Sequence, residues 1–126
     1  MGLDNGIYLR IKGHRERMKL SGKRFFWDNE LAYWRKCWGI REVIIGIIFS
    51  SQINEYTYII NREQLKEVIA ALKKFNKKSY WDKYAHSIWT FEEFKEGRKR
   101  ILRNLKWAYR YMKRHPEVIM YFYDSY

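Results

Sequence analysis

The sequence predicts an α+β domain: a small, mainly antiparallel three-stranded sheet with helices packed on one face, one of them long, basic and amphipathic. Three observations carry this. Runs with strand character stand near the start, the middle and the end of the chain, and amphipathic helical patterns separate them. The apolar fraction of 47% and the aromatic fraction of 19% are too high for a disordered chain, despite its charge. A length of 126 residues suits a single globular unit, 1–126, with one core.

Gly6 to Lys12 alternates, with Ile7, Leu9 and Ile11 on one side, and predicts a half-buried strand. The following GHRERMKLSGKR has no clean period and is read as a basic loop or ragged hairpin arm, placed to clamp a ligand. Asp28 or Asn29 then caps an expected helix over ELAYWRKCW, with Leu31, Trp34 and Trp38 facing inward and Gly39 as its C-terminal cap. In Arg41 to Phe49, β-branched residues argue for a strand, while the adjacent Trp-Gly turn and the lack of alternation argue for a buried helix; helix is the expectation. Glu55 to Ile60 predicts a strand with Tyr56, Tyr58 and Ile60 facing one way.

Asn61 and Gln64 have capping-box spacing before a helix lined by Leu65, Val68, Ile69, Leu72 and Phe75. A short helix is expected in the aromatic stretch Ser79 to Trp89. Thr90 and Glu93 repeat the capping box before the longest helical pattern, which Pro116 stops. On that helix Phe91, Phe94, Ile101, Leu105, Ala108 and Met112 form the core stripe. Lys99, Arg100, Arg103, Lys106, Arg110 and Arg114 gather opposite, with Trp107 among them. Val118 to Tyr123 closes the chain as a central strand.

The net charge of +12 is concentrated in two places. Arg10 to Arg24, which includes Arg15 and Arg17, and Thr90 to His115 each carry +6, and the rest sums to zero. Localised positive charge of this kind suits an anionic partner such as nucleic acid, a nucleotide or an acidic protein. Its bland counterpart is a solvated face that keeps a small protein soluble.

Motifs for catalysis are missing. GxSxG, HExxH, P-loop and GxGxxG patterns do not occur, and the three histidines lie on separate segments without metal-ligand spacing. No cofactor or metal is expected. The single Cys37 forms no internal disulfide and is read as a packed thiol in a reducing, cytoplasmic compartment. Val43 to Phe49, the longest apolar run, is too short for a membrane span. A second constellation, Tyr33-Trp34-Arg35-Lys36, is read either as an internal ion-pair network with Asp4 and Asp124 or as a pocket. In the pocket, Tyr33 would stack a planar ligand and Arg35 or Arg41 would hold an anion.

Met1-Gly2-Leu3-Asp4, Glu30-Leu31-Ala32-Tyr33-Trp34-Arg35-Lys36 and Tyr121-Phe122-Tyr123-Asp124-Ser125-Tyr126 together resemble a group of small uncharacterised bacteriophage and prophage proteins. That resemblance implies a role in host interference and singles out Asp4, Tyr33, Trp34, Arg35, Lys36 and Ser125 as a shared site. The expected function is therefore non-enzymatic binding of a phosphate-rich partner, nucleic acid or a nucleotide signal. The alternatives are a module that inhibits an acidic host protein and an unrecognised small enzyme acting on a phosphorylated substrate.

Overall fold

The computed structural model describes residues 3–10 and 29–125, and its class is α+β. In chain order the elements are β1 (Asp4–Arg10), β2 (Asn29–Arg35), α1 (Trp38–Ile48), a 3₁₀ turn (Phe49–Ser51), β3 (Gln52–Asn54), β4 (Thr57–Ile60), α2 (Arg62–Lys74), α3 (Lys78–Tyr84), α4 (Phe91–Arg114) and β5 (Ile119–Ser125). The sheet has five strands rather than three, ordered β2-β1-β5-β4-β3, with every neighbouring pair antiparallel. The expected basic loop, with Arg15 and Arg17, and the Asp28 cap lie outside the described residues.

The additional strands are β2 and β3. The segment expected as a helix from Glu30 is the edge strand β2, and a bulge explains the misreading. Ile7 of β1 pairs with Ala32 while Tyr8 pairs with Glu30, so Leu31 is the extra residue. Leu31, Ala32 and Trp34 are consequently all buried. With alternation broken in this way, apolar residues at Leu31, Trp34 and Trp38 imitate a helical period. Strand β3 is a short exposed edge whose turn into β4 is held by Asn54 Oδ1, which accepts the Tyr56 N–H at 2.9 Å.

Beyond β2 the chain turns through Lys36, whose φ of 52° lies in the left-handed region, and enters α1 at Trp38. Trp38 is 45% exposed, not core, and Gly39 is no C-terminal cap. Gly39 lies in the first turn of α1, where its N–H donates to Ala85 O at 2.7 Å and a Cβ would stand 1.7 Å from Tyr84 O. Only a glycine lets the start of α1 approach the end of α3 so closely. The Arg41 to Phe49 segment is helical through Ile48, and Ile40, Ile44 and Ile48 form its buried edge.

Both expected capping boxes form, at Asn61/Gln64 for α2 and at Thr90/Glu93 for α4. On α4 the buried stripe is Phe94, Leu102, Asn104, Leu105 and Ala108, while Phe91, Ile101 and Met112 pack at its margins. Asn104 is buried because its side-chain amide donates to Leu31 O at 3.1 Å, which ties α4 to the edge strand β2. Arg62 ties α2 to α4: its Nε donates to Tyr109 O at 2.8 Å and its guanidinium lies 3.7 Å from the Tyr109 ring centroid.

One face of the sheet carries Ile7, Leu9, Trp34, Tyr58, Ile60, Met120 and Phe122, all buried with the helices in one hydrophobic cluster. The other face carries Asp4, Gly6, Tyr8 and Arg10 of β1, Tyr33 and Arg35 of β2, and Ile119, Tyr121, Tyr123 and Ser125 of β5. No helix among the described residues packs on this second face.

Candidate functional site

Helix α4 presents a cationic stripe. Lys99, Leu102, Arg103, Lys106 and Arg110 line a shallow groove of about 370 Å³, and Arg114 continues the line toward the helix end. Spacings of three, four and seven residues place them on one side of the helix, over roughly 22 Å at about 1.5 Å per residue. Lys99, Arg100, Arg103, Lys106, Arg110 and Arg114 are all exposed. Among the described residues no carboxylate pairs with any of them; the pair on α4 itself is Lys95 with Glu92, near the other end. Lys99 with Arg103, Lys106 with Arg110, and Arg110 with Arg114 are like charges four residues apart, each destabilising the helix by about 0.2–0.5 kcal/mol. Repulsion of this size is tolerated by a solvated face and would be relieved by an anionic partner.

Trp107 is half-buried rather than free on that face. Its ring stacks on Tyr111 at 4.8 Å, and Tyr111 stacks on His115 at 4.1 Å, forming an aromatic ladder beside the stripe.

The constellation read either as an ion-pair network or as a pocket is divided by the sheet. Because β2 is a strand, Tyr33 and Arg35 emerge on the second face while Trp34 points into the core. Asp4, Tyr33, Arg35 and Ser125 come together on that second face, Asp4 lying between Arg35 and Ser125 in register. Tyr33 Oη donates to Asp4 Oδ1 at 2.6 Å. This hydrogen bond to a carboxylate, aided by partial burial, pushes the Tyr33 phenol from its ordinary 10.0 up to about 12. Lys36 is taken up by the turn, its N–H donating to Leu3 O at 2.6 Å.

Beneath the sheet, Trp34 and Arg41 belong to a different assembly. Arg41 meets Asp124 in a two-pronged pair, Nε to Oδ1 and Nη2 to Oδ2, both at 2.8 Å. Asn5 Nδ2 donates to the same carboxylate at 2.7 Å. Asp124 is fully buried, and Arg41 joins α1 to the last strand. Arg41 is thus engaged in an ion pair of the fold rather than turned toward Tyr33, which favours the ion-pair alternative over the one in which it holds a ligand anion. Cys37 is buried as well, at the N-cap of α1 rather than inside a helix. Burial pushes its thiol up to about 11, against the opposing pull of its contact with Ser87 Oγ at 3.0 Å, so it is not a thiolate nucleophile at neutral pH.

Of the tyrosines on the second face, sequence reasoning singled out Tyr33 but missed the role of Tyr8, Tyr121 and Tyr123, and it set Tyr56 on the side of the buried Tyr58 and Ile60. Tyr8 stacks on Tyr121 at 5.4 Å, Tyr56 lies against Tyr123 at 6.2 Å, and the Arg10 guanidinium stands 5.7 Å from the Tyr121 centroid. Their signal was the alternation in Met120-Tyr121-Phe122-Tyr123-Asp124, in which buried and outward residues take turns; read as one continuous apolar run, it hid the outward set. No helix among the described residues is long and apolar enough to cross a membrane. The chain matches no protein-family model, and no curated protein or solved structure is significantly similar to it.

Proposed function

We propose that this chain is a non-enzymatic binding protein whose α4 stripe engages a phosphate-rich partner, with nucleic acid as the leading ligand. The observation that carries the reading is the exposed run Lys99, Arg103, Lys106, Arg110 and Arg114 along one helix, without a carboxylate partner among the described residues. Lysine and arginine supply most phosphate contacts, and those contacts orient a protein on nucleic acid without reading its sequence. Arg62 and Asn104 tie the helix to α2 and β2. A role in host interference, by masking nucleic acid or sequestering a nucleotide signal, is the part of this proposal that rests on the resemblance to phage proteins alone.

The test is binding of a labelled oligonucleotide to the whole protein and to the double variant Arg103→Glu/Arg110→Glu. Loss of binding with an unchanged fold is the expected result. Undiminished binding by the folded variant refutes the reading.

A second reading, a module that inhibits an acidic host protein, draws on one specific observation. Trp38, Tyr84 and Ile88 are 45%, 41% and 63% exposed, and backbone contacts around Cys37 and Ser87 bring their segments together. Exposed aromatic anchors of this kind supply hot spots in protein interfaces. Pull-down from nuclease-treated lysate separates the two, since a protein partner survives that treatment and a nucleic acid does not.

A further inference from the structure

We infer that the second face of the sheet is a base-stacking surface, so that the nucleic acid bound is single-stranded; this rests on the polyanion reading above. The surface centres on Tyr33 and Tyr123. Gly6 pairs with Tyr33 on one side and with Tyr123 on the other, so the three lie in one row across β2, β1 and β5. Adjacent strands are about 4.8 Å apart, which sets the two tyrosines roughly 10 Å apart at the backbone. Between them the middle strand has no side chain. The Tyr8 ring folds over that gap: a Cβ at Gly6 would stand 2.6 Å from Tyr8 Cε2 and Oη. The result is a shallow slot with an aromatic floor and a tyrosine on each flank.

Tyr33 and Tyr123 are each 40% exposed. Their hydroxyls keep such a surface wettable, unlike a bare aliphatic sheet that needs a protein cover, while their faces accept any base. Tyr33 is also preorganised, because its hydrogen bond to Asp4 fixes the ring and occupies that carboxylate. Arg35, exposed and directly opposite Asp4 in register, supplies a cation at the edge of the slot. Among the described strand residues Glu30, opposite Tyr8 and half-buried, is the other acidic group on this face.

Charge and continuity favour a nucleic-acid strand. The chain carries +12, and α4 packs on β2, the same edge strand that holds Tyr33 and Arg35. The stripe faces away from the sheet and the slot lies on the sheet's other face, so a strand that engages both wraps around the β2 edge. Duplex bases, already stacked on one another, have no free faces to offer it.

The test uses the full chain, with oligothymidylate, a duplex of equal length and inorganic polyphosphate as probes. The Tyr33→Ala/Tyr123→Ala variant is expected to lose at least about fivefold in affinity for oligothymidylate per tyrosine, with polyphosphate binding unchanged. Tyr33→Phe, which keeps the ring, retains oligothymidylate binding. Equal binding of single strand and duplex, with no effect of the tyrosine variant, overturns the stacking surface and leaves the α4 reading standing. Wild-type protein that binds none of the three probes overturns both. In case the double variant is destabilised, ultraviolet crosslinking of the wild-type protein to oligothymidylate gives a second readout. Adducts mapped to Tyr33 or Tyr123 support the surface, and adducts confined to α4 refute it.

Discussion

Arg41 and Arg103 belong to the same residue type on two helices of one small protein, yet they do opposite work. Arg41 reaches from α1 beneath the sheet to a carboxylate with no exposure and makes two parallel hydrogen bonds with it. Arg103 stands in solvent among cations of its own sign and has no carboxylate partner among the described residues. The contrast separates charge that the fold uses from charge that the fold merely tolerates. Partner geometry, not residue type or local charge density, tells the two apart.

The contrast is broken or sharpened by substitution. Arg41→Met keeps the stem but leaves Asp124 buried with Asn5 alone, and is expected to cost about 3–5 kcal/mol in denaturant unfolding. Asp124→Leu is expected to cost less, because Arg41 retains 23% exposure and can turn toward water. Replacing both together is expected to cost less than the sum of the two single replacements, and strict additivity would mean that the pair is not coupled.

Tyr33 gives a smaller effect with a defined pH window. Its folded pKa of about 12 lies above its ordinary 10.0, so its hydrogen bond to Asp4 stabilises the fold fully below pH 10.0. That contribution is lost as pH rises toward about 12. Tyr33→Phe is expected to flatten the decline in stability across this alkaline window. An identical pH profile in both proteins would show that the hydrogen bond contributes nothing, as solvent screening at a 40% exposed residue permits only in part. The smallest loss of stability is expected on α4: Arg103→Glu/Arg110→Glu turns three like-charge pairs into attractive ones, each worth a few tenths of a kcal/mol by helix-pair energetics, and is expected to leave the protein at least as stable as the wild type. A large loss of stability would place those arginines among the residues that build the fold.

How legible the molecule was depended on how local the signal was. The two capping boxes, the bounds of α4 and the inward set Ile7 and Leu9 depend on neighbours within a few residues, and they were readable. Strand β2 depends on hydrogen bonds to a strand more than twenty positions earlier and on a bulge at Leu31, and neither leaves a local mark. That one misreading propagated into the site. On a helix, Tyr33, Trp34 and Arg35 fan around an axis and can share a pocket margin; on a strand they alternate, and the expected pocket splits into a solvent face and a buried ion pair. Gly39 shows the same limit, since its need for close approach comes from Tyr84 and Ala85, far along the chain. The α4 cations were found because helical period and charge are both local properties.

The most direct test of the central claim is the salt dependence of oligonucleotide binding by the wild-type protein. Four groove cations that neutralise phosphates predict a log-log slope of roughly −3 on single-stranded nucleic acid, from about −0.7 per contact. Binding whose strength does not change with salt, or no binding at low salt, would contradict the account and return the α4 stripe to the role of a solvated face.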